Sequence, residues 1–149
     1  MKLAIATDHR GRELKLEIIE KLSSEFEILD CSKENYDTDD YPDFAFAVCH
    51  EVVKNQADFG VLICGTGIGM SIAANKVKGV RCALVHDVNE ARLAKEHNGA
   101  NVLAFGSYMG CDNICECIKE YAKSQILLDK HERRREKIIK YEMGEYNEL

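Results

Sequence analysis

The stretch Cys64-Gly-Thr-Gly-Ile-Gly-Met70 sets a thiol before three glycines, with a hydroxyl between the first two. Glycines let the backbone come close to a ligand, and a helix opening there would aim free N–H groups and a positive dipole end at it. Gly65, Gly67 and Gly69 therefore read as an anion cradle. Cys64, at the junction, meets a helix start that favours the thiolate, so it could take up a proton beside a place where negative charge develops. A plain glycine turn and a buried hydrophobic cysteine are the simpler alternatives. A second polar set, Asp8-His9-Arg10-Gly11, brings carboxylate, imidazole and guanidinium together, although Asp8 could serve only as a helix cap. A third is His97-Asn98, where the imidazole is either a proton carrier near neutral pH or a dipole partner at a helix end stopped by Gly99.

Spacing rejects two sharper readings and leaves a third, the dinucleotide fingerprint, open. The Gly-Lys-Ser/Thr of a Walker phosphate loop is absent, and a cysteine-phosphatase loop would want arginine where Met70 stands. A dinucleotide fingerprint would need glycine at that same position, although Asp87 lies at a plausible distance for a ribose contact. Cys111, Cys115 and Cys117 with His131 fit no standard zinc spacing, so no metal site is expected and helix packing accounts for them.

These residues need elements that hold them at one edge. Short apolar runs alternate with stretches of helical periodicity, which predicts repeated β-α units and a three-layer α/β fold with a five-stranded parallel sheet. Expected strands are Lys2 to Thr7, Glu27 to Asp30, Gly60 to Cys64, Arg81 to His86 and Asn101 to Phe105. Expected helices are Glu13 to Ser23, Asp43 to Asn55, Ser71 to Val77, Asn89 to His97 and Asn113 to Ser124. Leu14, Ile18, Ile19 and Leu22 make one apolar stripe, and the runs 60–64 and 82–85 are apolar enough to be covered on both faces. Cys31 to Pro42 reads as a surface loop. In such sheets ligands sit at the carboxyl ends of the strands, where Asp8 and Cys64 fall.

A chain of 149 residues suits one domain, expected to span 1–149, with 129–149 a basic helical tail too poor in apolar residues to stand alone and expected to dock on a partner subunit. The net charge of −6 disfavours a general nucleic-acid binder. No apolar stretch is long enough for a signal peptide or a membrane span, so no membrane partner is expected. Seven irregularly spaced cysteines read as free thiols of a cytoplasmic protein.

Taken together, Asp8-His9, Asp40-Tyr41-Pro42, Ile63 to Gly69, Ser71 to Lys76 and Glu96 to Ser107 resemble the type B ribose-5-phosphate isomerases and the related galactose- and allose-6-phosphate isomerases. The resemblance covers roughly residues 1 to 140. It implies a Rossmann-like aldose-ketose isomerase without metal or cofactor, a homodimer or dimer of dimers with active sites between subunits. It further implies Cys64 as base for C2 of the open-chain sugar, Thr66 and the surrounding N–H groups as anion hole, and His97 as the ring-opening group. Asp8 would assist proton movement, and His9, Tyr41 and Asn98 would contact substrate. Of two arginines common in the family, one is replaced here by Tyr108 and the other by Lys130, while Arg134 matches a further phosphate arginine. Arg10 is then expected to join Lys130 and Arg134 around the phosphate. Ribose 5-phosphate and ribulose 5-phosphate are the expected substrates, with hexose 6-phosphates or a nucleotide-binding regulatory role as alternatives.

Overall fold

The computed structural model describes residues 1–147. Five strands, β1 (Lys2–Thr7), β2 (Glu27–Asp30), β3 (Phe59–Cys64), β4 (Cys82–Leu84) and β5 (Val102–Gly106), form one parallel sheet in the order β2-β1-β3-β5-β4. The six α-helices of the described residues are α1 (Arg12–Leu22), α2 (Tyr41–Val53), α3 (Ile68–Ala74), α4 (Val88–Glu96), α5 (Gly110–Lys123) and α6 (Lys130–Glu142). Alternation along the strands sorts the core into two layers. Leu3, Ile5, Val61, Ile63, Leu103 and Phe105 pack with residues of α1, α4 and α5. Ala4, Ala6, Leu62, Cys64 and Ala104 pack with α2 and α3 on the other face. The second face is built from small residues, and at Gly60 a Cβ would meet Val48 Cγ1 at 2.5 Å, so α2 can lie close to the sheet. The expected stripe on α1 holds: Ile18 and Leu22 are fully buried, and Leu14 and Ile19 pack partly against the same core.

Strand order reverses between β1 and β3. From β1 the chain crosses to β2 on one side and then returns to lay β3 on the other, so the carboxyl ends of β1 and β3 border the crevice where open α/β sheets take ligands.

Three expectations are corrected. β4 is shorter than Arg81 to His86, and its residues are only half-buried, because it is an edge strand pairing with β5 alone. α3 starts at Ile68, three residues before Ser71, because Gly67 caps it in the left-handed conformation at φ 76°. The loop expected over Cys31 to Pro42 ends sooner, since Tyr41 opens α2 with Pro42 in its first turn, where a missing N–H costs nothing. Nor does that loop lie wholly on the surface, for Ser32 is buried and receives Thr7 N–H on its Oγ.

The tail forms α6, fastened to its own chain by Arg135, which is 8% exposed and donates to the carbonyls of His97 and Leu127. At the far end the Glu142 carboxylate accepts Gly79 N–H. The last two residues of the expected tail 129–149 lie outside the described residues.

Candidate active site

Thr7 and Ile63 are register partners at the ends of β1 and β3, so Asp8 and Cys64 leave the sheet side by side. Both are nearly buried, at 7% and 6% exposure. They line a cavity of about 300 Å³ with His9, Arg10, Asp39, Asp40, Tyr41, Gly65, Thr66 and Gly69. Eight of the residues singled out by sequence thus meet at one place.

The glycine run earns its composition locally. Gly67 donates its N–H to Cys64 Sγ at 3.2 Å, and at its positive φ a Cβ would strike Leu84 and the Phe105 backbone at 2.6 and 2.8 Å. Gly69 lies under the Tyr41 ring, where a Cβ would stand 2.7 Å from the ring carbon Cζ. Gly65 lies against the Arg10 guanidinium, with the Cβ position 3.1 Å from Nη1. Thr66 is exposed to the cavity, and its Oγ1 accepts Ile68 N–H at 3.3 Å. Asp8 does cap the next turn, with Oδ1 accepting Arg10 N–H at 3.0 Å, and it lines the cavity as well, so its two readings are compatible.

Asp39 is a member that motif reasoning passed over. Its Oδ1 accepts both the backbone N–H of His9 at 3.1 Å and ring Nδ1 at 2.8 Å. Its Oδ2 accepts Asn35 Nδ2 at 2.9 Å and Tyr36 N–H at 3.2 Å. Burial alone would push this carboxyl up, yet the hydrogen bonds from Asn35, His9 and Tyr36 outweigh it and hold the pKa below the ordinary carboxylate value. Its one sequence signal was position, among the acidic residues just before Tyr41-Pro42.

His97, Asn98, Lys130 and Arg134 do not line this cavity. His97 caps the end of α4, ahead of β5, and the register pairs Gly60 with Val102 and Cys64 with Gly106. The chain therefore enters β5 at the amino edge of the sheet, while Cys64 stands at the carboxyl edge, about 13 Å along four residues of strand. There the His97 ring stacks on His131 of α6 at 3.9 Å between centroids, which brings the start of α6, with Lys130 and Arg134, to the same edge. Loss of solvent around the stacked ring, and then the charge of His97, lower the pKa of His131. Asn98 is exposed and lines a separate cavity of about 550 Å³ with Cys82, Ile138 and Tyr141.

The remaining candidates are settled by packing. Burial pushes the thiols of Cys49 and Cys115 up to about 12 and those of Cys31 and Cys117 up to about 11. Asp87, the residue suited to a ribose contact, instead caps α4 by accepting Glu90 N–H at 2.7 Å. Among the described residues, no cluster of three or more His, Cys, Asp or Glu side chains could hold a metal ion, and no helix is long and apolar enough to cross a membrane.

The pattern of a family described as Ribose/Galactose Isomerase matches residues 3–138. A Mycoplasma genitalium protein named probable ribose-5-phosphate isomerase B is 46% identical over 143 residues, covering 93% of each chain. Among solved structures, ribose-5-phosphate isomerase B of Clostridium thermocellum superposes with a TM-score of 0.92 at 38% identity, covering 97% of this chain and 99% of that one. The Mycoplasma genitalium ribose-5-phosphate isomerase B solved with bound ribulose 5-phosphate gives 0.89 at 42% identity, covering 95% and 96%. The match takes in the Asp-His turn after β1, the glycine loop after β3 and the His-Asn turn before β5 within one continuous span, and the chain belongs to the ribose/galactose isomerase family.

Proposed function

We propose that this protein interconverts ribose 5-phosphate and ribulose 5-phosphate in the cytoplasm, as a homodimer or a dimer of dimers whose active sites each draw on two subunits. The observation that carries the reading is the nearly buried Cys64 thiol beneath its glycine loop, facing a cavity shared with Asp8, His9 and Arg10. The similarity to an enzyme solved with ribulose 5-phosphate supports the pentose as substrate.

The chemistry follows from those positions. The open-chain aldose lies in the cavity with C2 toward Cys64 Sγ. The thiolate takes the C2 proton, the C–H electron pair becomes the C1–C2 double bond, and the carbonyl oxygen becomes an enediolate oxygen. Thr66 and the N–H groups of the glycine loop other than that of Gly67, which donates to Cys64, stabilise that oxygen; being fixed already, they need no reorganisation when charge appears. The thiol then returns its proton to C1, and the ketose forms. Asp8, beside Cys64, relays protons between the sugar hydroxyls, while His9, Arg10 and Tyr41 hold the substrate. Ring opening falls to His97, a further substrate contact to Asn98, and phosphate contacts to Lys130 and Arg134. Because these four stand at the opposite sheet edge of their own chain, a second copy delivers them. The exposed apolar residues Ile68, Ile72, Leu128, Ile138 and Tyr141 supply surface for that copy, and the tail 129–149 serves its partner as well as its own fold.

The test is an isomerisation assay across pentose and hexose phosphates, with Cys64→Ala as the diagnostic variant. Turnover of ribose 5-phosphate is expected, and Cys64→Ala should abolish it while leaving sugar-phosphate affinity within about tenfold, since a proton acceptor rather than a binding contact is removed. Near-normal turnover by the variant would remove Cys64 as the base, and turnover confined to hexose phosphates would move the substrate to the longer sugars.

A further inference from the structure

Among the described residues, the side chain that holds His9 by hydrogen bonds is Asp39. The backbone N–H and ring Nδ1 of His9 both converge on a single oxygen of Asp39, and that side chain is 8% exposed where the histidine is 34% exposed. The other Asp39 oxygen is anchored by Asn35 and by the Tyr36 backbone, and Asn35 in turn donates to the Thr7 carbonyl at the end of β1. The carboxylate is thus braced against the sheet before it reaches the imidazole.

An ionised carboxylate has no proton to donate, so a contact of 2.8 Å to Nδ1 requires the hydrogen to sit on the ring. That assigns Nδ1 as the protonated nitrogen and leaves Nε2 for the cavity that His9 lines. The hydrogen bonds that hold the Asp39 pKa down agree with a carboxylate that stays ionised at neutral pH.

We propose that Asp39 is a positioning residue of this active site, fixing the tautomer and orientation of His9 so that Nε2 meets the sugar phosphate. The proposal rests on the isomerase reading above. Both Asp39 oxygens are taken up by His9, Asn35 and Tyr36. Asp39 acts through His9, as a buried carboxylate orients an imidazole in other catalytic arrangements.

Three measurements test it. In nitrogen NMR of the whole protein, His9 should carry its hydrogen on Nδ1 in the parent but relax toward a mixture of tautomers in Asp39→Ala. In kinetics on ribose 5-phosphate, Asp39→Ala should raise KM roughly 10- to 100-fold, the scale of a misplaced contact, with a smaller change in kcat. In a His9→Ala background, Asp39→Ala should add almost nothing, because a residue acting through His9 has nothing left to position. An equal KM increase with and without His9 would show a general structural role and overturn the proposal. So would an active parent whose Asp39→Ala variant keeps both the tautomer and KM. A parent inactive on every sugar phosphate overturns the isomerase reading instead, an outcome separable from these two.

Discussion

Tyr108 stands where the family often has an arginine, and its ring lies against Gly106, where a Cβ would meet Cε1 at 2.2 Å. A phenol offers one hydroxyl in place of a guanidinium's fork of donors, and Lys130 offers a point charge, so two bidentate partners for phosphate are missing. Arg10 lines the Cys64 cavity and lies against Gly65, which makes it the proposed replacement. Arg10→Ala is expected to weaken ribose 5-phosphate by about 1.5 to 3 kcal/mol, the range of a charged hydrogen bond, and to leave weak activity on unphosphorylated ribose unchanged. The ratio of kcat/KM for the two sugars checks this, and equal losses on both would detach Arg10 from the phosphate.

Two local arrangements decide whether the elements hold their geometry. Gly67 combines a positive φ with no room for a methyl group, so Gly67→Ala must shift the turn that donates to Cys64. Backbone strain of about 1 to 3 kcal/mol is expected in urea unfolding, together with a larger proportional fall in kcat than in stability. A variant as stable and active as the parent would show the loop to be more plastic than its contacts suggest. Lys15 is the second case. Only 2% exposed, its ammonium contacts Asp30 at 2.9 Å and both the carbonyl and hydroxyl of Ser32, whose Oγ also receives Thr7 N–H. Lys15→Met leaves Asp30 without its ion partner and should cost about 3 kcal/mol of stability, read from the denaturant midpoint. Loss below a few tenths of a kcal/mol would mean that water replaces the ammonium.

At the scale of the whole molecule, Cys64 and His97 lie at opposite edges of one sheet, so the proposed site, which uses both, draws on two chains. Complementation can test this directly. Cys64→Ala and His97→Ala should each be inactive alone. Mixed after unfolding and refolded together, equal amounts should recover about a quarter of parental activity, because half the dimers are mixed and each mixed dimer has one intact site of two. No recovery, from a mixture shown to contain mixed dimers, would place both residues in a site made by one chain.

Much of this was readable from residue order. The apolar runs that became β1 and β3 are long and β-rich enough to declare themselves, and the stripe of Leu14, Ile18, Ile19 and Leu22 follows helical period. The glycine loop announced itself because no ordinary turn needs Gly65, Gly67 and Gly69 together. Other features had no local signature. Lys15 looks like any surface lysine of a helix until the Ser32 turn folds over it, and Asp39 looks like loop acid until the β1 end brings His9 to its oxygen. β4 read as a covered strand because apolar composition reports what a strand tolerates, whereas its place at the sheet edge depends on which strands pair. His97 shows the same limit. Its motif lies within one continuous family match with Cys64, yet parallel strands carry the start of β5 and the end of β3 to opposite edges, and pairing register is a long-range property that no neighbouring residue encodes.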